Sequence, residues 1–243
     1  MRPRVKETRM SEVPMTDKVE TWAAITGGLM TFGTLVLAAV AVFQSTIRGW
    51  FYHPRFRVSS KTEPPDCVAV PFRSADGSFV ADSIYLGVRG ENVGNATARN
   101  VEVYANSLQR QRADGGWEPV PAFPPINLKW AHINSMYFPS IAPEMAKHCN
   151  IGHIVDPTRR HLLPNEKVTR LNLTDQQTSL AFEVVVSPNQ GGHVVGPGKY
   201  RLEILVAAEN ARPLHKMIEI SVRGEWYADE AKMLRDGVGV KLL

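Results

Sequence analysis

The stretch YRLEILV at positions 200–206 puts Tyr200, Leu202, Ile204 and Val206 on one side of an extended chain, with Arg201 and Glu203 on the other. Successive side chains of a strand point to opposite faces, so this run lines a core with one face and meets water with the other. The same rhythm recurs in DSIYLGVR at 82–89, where Ile84, Leu86 and Val88 align. It returns in Val101 and Val103, in Leu180, Phe182, Val184 and Val186, and in Ile218, Ile220 and Val222. Turn-forming residues separate these runs: Gly94-Asn95, Asp114-Gly115-Gly116, residues 189–192 and Pro197-Gly198. Strands punctuated in this way, with no amphipathic helices between them, predict a mainly β fold, a two-sheet antiparallel β-sandwich over 58–224.

Between 116 and 164 the rhythm breaks. Prolines at 119, 121, 124, 125, 139, 143, 157 and 164 interrupt it, which predicts a loop-rich insert of short strands. The last stretch mixes Trp226, Ala231, Met233 and Leu234 with acids and bases, so 225–243 reads as a short C-terminal helix and tail. A helix this short is marginal alone, so it is expected to dock on the sandwich.

Outside the sandwich one segment dominates. Residues 21–47 carry no charge and include AAITGGLMTFGTLVLAAVAVF. That exceeds the ~20 apolar residues a transmembrane helix needs. Trp22 stands at its start and Trp50, Phe51 and Tyr52 follow its end, the aromatic pair of belts that membrane interfaces select. Glu7, Glu12, Asp17 and Glu20 precede it, unlike the short basic region of a signal peptide. The expectation is a 1–20 tail, an uncleaved anchor at 21–47 and a basic, aromatic juxtamembrane segment at 48–57. Arg48, Arg55 and Arg57 lie just past the span, and positive flanks stay inside. This places the soluble domain on the cytoplasmic side of the inner (plasma) membrane, in a single-pass protein.

The net charge is +4, with both signs scattered and no Lys/Arg stripe of the kind that binds nucleic acid. The lipid bilayer is the expected partner of the basic residues beside the anchor. A protein partner bound through the insert is a further expectation, and so is a second copy, since Ala23, Gly27 and Thr31, like Ala24 and Gly28, repeat at the small-x-x-x-small spacing that suits self-association.

At 91–103 the chain reads ENVGNATARNVEV, with Asn92 and Gly94 as an N-x-G pair, Ala98 as a small residue, then Val101 and Val103. This resembles the turn-and-strand pattern of bacterial Ig-like modules such as the cell-adhesion-related domain of bacteria (CARDB). The whole chain is also similar to a group of single-pass bacterial membrane proteins, through W-F-Y-x-P after the anchor, N-L-K-W at 127–130 and H-C-x-x-G-H-I at 148–154. The resemblance implies an anchored Ig-like sandwich and assigns no activity.

Three groups of residues are candidate sites. His148, Cys149, His153 and Asp156, with Cys67 from a distant segment, offer the ligand types that zinc takes. The spacing lacks C-x-x-C and H-E-x-x-H, and Gly152 and Pro157 oppose the helix that would gather the side chains; hydrogen-bonded histidines in a structural loop are the alternative. The second candidate is the pair of cysteines, either buried free thiols or one bridge in an oxidising compartment. The third is Trp130, His132, Tyr137 and Phe138, which form either an aromatic binding surface or a cap over the end of the sandwich. No G-x-S-x-G, G-x-x-x-x-G-K-[ST] or strand-to-helix G-x-G-x-x-G occurs. A membrane-anchored binding module without catalysis or cofactor is the leading expectation. A metal-dependent enzyme or structural zinc domain is the alternative.

Overall fold

In the computed structural model, which describes residues 15–74, 76–121, 123–163 and 171–243, the chain divides into two units, a helix ending at Phe51 and the domain Tyr52–Leu243. The helix, α1, is Met15–Phe51. Its segment Ile25–Gln44 is long and apolar enough to cross a membrane, and none of it is buried. Trp22 is 68% exposed, and Leu29, Phe32, Leu37 and Val42 after it are exposed as well. The threonines inside it are satisfied internally, because their hydroxyls donate back to the helix itself. Thr26 donates to the Trp22 carbonyl, Thr31 to Gly27 and Thr34 to Met30, each at 2.8 Å. The side chains of Arg48 and Trp50 lie outside the described residues.

The domain is two antiparallel sheets. Its strands are β1 (Phe56–Ser59), β2 (Cys67–Arg73), β3 (Phe79–Asn92), β4 (Ala98–Gln111), β5 (Trp117–Pro119), β6 (Ile126–Asn127) and β7 (Lys129–Trp130). They continue with β8 (Tyr137–Ile141), β9 (Ala146–Val155), β10 (Leu180–Phe182), β11 (Val194–Val195), β12 (Gly198–Ala208), β13 (Ala211–Val222) and β14 (Val238–Leu242). One sheet runs β1-β3-β9-β10-β11, with β2 also on β3 and β7 on β9. The other runs β14-β13-β12-β4-β5, with β6 and β8 also on β4. The alternation read at 200–206 is realised in full: Tyr200, Leu202, Ile204 and Val206 are all buried. They meet Ile84, Leu86 and Val88 of β3 and Ile218, Ile220 and Val222 of β13 in one core.

The structure departs from the sequence reading in four places. HCxxGH is in strand β9 and not in a loop, because β9 bonds to β3 on one side and to β10 on the other. The expected short C-terminal helix is present as a single turn, α2 (Glu230–Lys232), which runs into a π turn at Met233–Gly237. Beyond it the expected tail is β14, paired with β13 from Val238 to Leu242. The juxtamembrane segment is also partly sheet, since Phe56 pairs with Asn92 in β1. Val186, expected in a core row with Val184, is 77% exposed, because β10 ends at Phe182.

Side chains close one flank of the sandwich, where edge strand β2 of one sheet and edge strand β14 of the other lie together. Glu230 accepts the Ala69 amide of edge strand β2 at 2.7 Å, and Thr62 exchanges hydrogen bonds with the backbone of Val240 in edge strand β14. Occupied edge groups are poor templates for pairing with another chain.

The N-x-G pair has a mechanical role. Asn92 is fully buried and uses every hydrogen-bonding direction of its side chain. Its Oδ1 accepts the amides of Arg55 and Gly94, and its Nδ2 donates to the carbonyls of Ala96 and Ile141. Asn95 Oδ1 takes the His53 amide at 3.0 Å, and Val93 donates to the Arg55 carbonyl at 2.7 Å. A Cβ at Gly94 would stand 2.4 Å from both the Arg55 nitrogen and the His53 oxygen. Only glycine lets residues 53–55 cross there.

Candidate functional site

Strand β7 is two residues long, yet it is fastened on both faces. Lys129 points to the outer face of its sheet, where Nζ lies 2.7 Å from Glu183 Oε2. The other oxygen, Oε1, meets His153 Nδ1 at 2.5 Å. Register brings these distant residues together. Lys129 pairs with Asn150 of β9, while the amides of Lys129 and Glu183 bond to the Glu183 and Ile151 carbonyls. The imidazole of His153 packs against both Phe72 and Tyr85, with its centroid 5.2 Å from each ring.

Glu183 is 6% exposed. Burial alone raises a carboxyl pKa, but the hydrogen bond and charge of His153, followed by those of Lys129, outweigh it and hold Glu183 at about 2. The carboxylate is therefore ionised at neutral pH and committed to two partners. An ionic cluster of this kind fixes geometry more than it adds stability, since desolvation offsets much of the attraction.

On the inner face Trp130 is 1% exposed. Its Nε1 donates to the Val101 carbonyl across the core at 2.9 Å, and its ring meets Phe138 edge-on at 5.5 Å. Trp130 is therefore a core residue and not part of a binding surface. Phe138 is half-buried against it, with the Lys147 ammonium 5.0 Å from its ring centre.

Between Trp130 and Tyr137 the chain turns tightly. Trp130 donates to the Ser135 carbonyl at 2.9 Å and Ala131 to that of His148 at 3.0 Å. His132 and Asn134 adopt φ of 70° and 48°, a left-handed conformation that costs a residue with a Cβ about 1 kcal/mol or more. The result is a short, tied loop that holds Ile133, Met136 and Tyr137 outward, at 42%, 44% and 48% exposure. His132 is exposed beside them. Of the four residues expected at a binding surface, His132 and Tyr137 are exposed. Ile133 and Met136 belong with them and were not anticipated.

The proposed zinc ligands are not brought together. His148 lies on the outer face and bonds Asp66 at 3.1 Å, whereas Cys149 points into the core, its thiol donating to the Lys129 carbonyl. His153 is held by Glu183, and Asp156 caps the 3-10 turn Pro157–Leu162 through the Thr158 amide. Cys67 is buried in β2. Among the described residues no group of three or more His, Cys, Asp and Glu side chains is placed to hold a metal ion.

The cysteines are free and buried. Cys67 sits opposite Leu86 and Cys149 opposite Val88, on strands that flank β3. Two strand spacings come to ~9.5 Å, beyond the ~7 Å between Cα atoms that a disulfide spans. Burial, assisted by the Asp66 charge, pushes the Cys67 thiol up to about 12 despite the Gly87 backbone contact. Burial also raises Cys149, with Glu183 adding to the shift. Both are protonated and poorly nucleophilic.

No known protein-family model matches the chain, and no curated protein matches it in sequence.

Proposed function

We propose that the chain is a single-pass membrane protein whose Ig-like β-sandwich is a non-catalytic docking module, held at the cytoplasmic face of a bacterial inner membrane. The observation that carries this reading is the loop at 131–137. Its stem is pinned on one face by the Lys129–Glu183–His153 cluster and on the other by Trp130, while Ile133, Met136 and Tyr137 stay exposed. Apolar side chains on a rigid loop lose little entropy when a partner covers them, so their burial goes into affinity. Aromatic residues and Met are enriched at such contacts.

Tethering is supported by the unburied apolar helix, and the cytoplasmic side by Arg55 and Arg57, which follow the span together with Arg48. Absence of catalysis is supported by protonated thiols and by a His–Glu pair closed off from solvent. The partner surface is that of a protein, either another copy or a different chain.

Full-length protein in mild detergent tests this by mass measurement. Wild type runs as an oligomer or with a stoichiometric protein partner, and Ile133→Ser with Met136→Ser runs as a monomer with an unchanged melting temperature. A wild type that is monomeric and partner-free in both detergent and nanodiscs overturns the proposal.

A further inference from the structure

Four segments of the sandwich are hydrogen-bonded into one end. Residues 53–55 are clamped to the β3–β4 turn by Asn92 and Asn95. The β8–β9 turn joins through Asn92, whose amide donates to Met145 and whose carbonyl accepts from Glu144. The β12–β13 tip joins through Asn210, which bonds the Arg99 amide at 3.0 Å and the Thr97 carbonyl at 2.9 Å.

This end has a mixed but basic surface. Met145 projects from it at 51% exposure. Arg55, Arg57, Arg99 and Arg212 are exposed around it, against the exposed acids Glu144 and Glu209. The chain itself argues for the occupant: the clamp begins at His53, and Tyr52 alone separates it from the last helical residue, Phe51.

We propose that this end of the sandwich is a lipid-contacting surface, with Met145 in the headgroup layer and the arginines against lipid phosphates. The inference rests on the reading that Ile25–Gln44 spans the bilayer. Arginine suits the role because its long stem lies along apolar surface while its fork bonds phosphate oxygens. Anionic lipid strengthens the contact by attracting the same cations.

The opposite end supplies the control. Ala113 is exposed on the β4–β5 turn, and fourteen residues of β4 at ~3.3 Å each place that turn roughly 40 Å from the clamp. The test uses the full chain in nanodiscs of phosphatidylglycerol and phosphatidylcholine that carry a headgroup nitroxide quencher. A fluorophore is attached at Met145→Cys or Ala113→Cys, the native thiols being buried and unreactive. The expected result is loss of emission at 145 and none at 113. Changing Arg55, Arg99 and Arg212 to Gln lessens the loss at 145 in anionic discs. Equal emission from both labels in a chain that has entered the discs overturns the inference and leaves the spanning reading intact. A chain that does not enter the discs overturns the spanning reading and the inference with it.

Discussion

Replacing Glu183 with Gln removes the one charge shared by Lys129 and His153 while keeping the side-chain shape. The carboxyl is held at about 2 against an ordinary 4.5, and at 1.36 kcal/mol per unit that is worth about 3 kcal/mol at neutral pH. Breaking a buried pair by removing one partner costs about 3–5 kcal/mol on other grounds, so the two figures agree. The sign follows from the depressed pKa. The unfolded state takes up protons first, so the stabilisation is complete above 4.5 and fades as pH falls toward 2. About three-fifths of it is gone at pH 3 by the same relation. Urea unfolding of residues 52–243, which hold the whole core, measures this in wild type and Glu183→Gln from pH 7 down to pH 3. The variant is less stable by about 3 kcal/mol at pH 7, and the gap narrows to about 1 kcal/mol at pH 3. A gap under ~0.5 kcal/mol at pH 7, or one that does not change with pH, refutes an ionised, doubly paired carboxylate.

Other outcomes follow from single observations. Gly94→Ala drives a Cβ to 2.4 Å from backbone atoms of His53 and Arg55, so it should cost about 2 kcal/mol or more and speed tryptic cleavage after Arg55. Thiol counting with an alkylating reagent at pH 8 should find no reactive cysteine in the folded protein and two after denaturation, because Cys67 and Cys149 are free, buried and shifted upward. A C-terminal GFP fusion should fluoresce and an alkaline phosphatase fusion should be inactive, as expected if the arginines after the span keep the sandwich in the cytoplasm.

The rows at Ile84–Val88, Tyr200–Val206 and Ile218–Val222 were legible because each lies in a long strand with one covered face. β9 was not. A bulge places Cys149, Ile151 and Ile154 inward, which is not a period of two, and its polar residues His148, Asn150 and His153 suggested a loop. β14 is five residues with a glycine inside, too short to carry a pattern. Half of the candidate surface was readable from Tyr137 and His132 as exposed polar-aromatic residues. Its support was hidden, since Lys129, His153 and Glu183 are distant in sequence and meet only through strand register. Glu183 did leave a trace: it falls between Phe182 and Val184, in the outward phase of a core row.

Docking through the loop at 131–137 is tested most directly by a photocrosslinking amino acid at Met136 in the full-length protein, in intact cells, with Ala113 as the control position. A discrete protein adduct is expected from position 136, absent from 113 and lost when Ile133 is changed to Asp. Equal labelling from both positions, or no protein adduct from 136, would contradict docking through this loop.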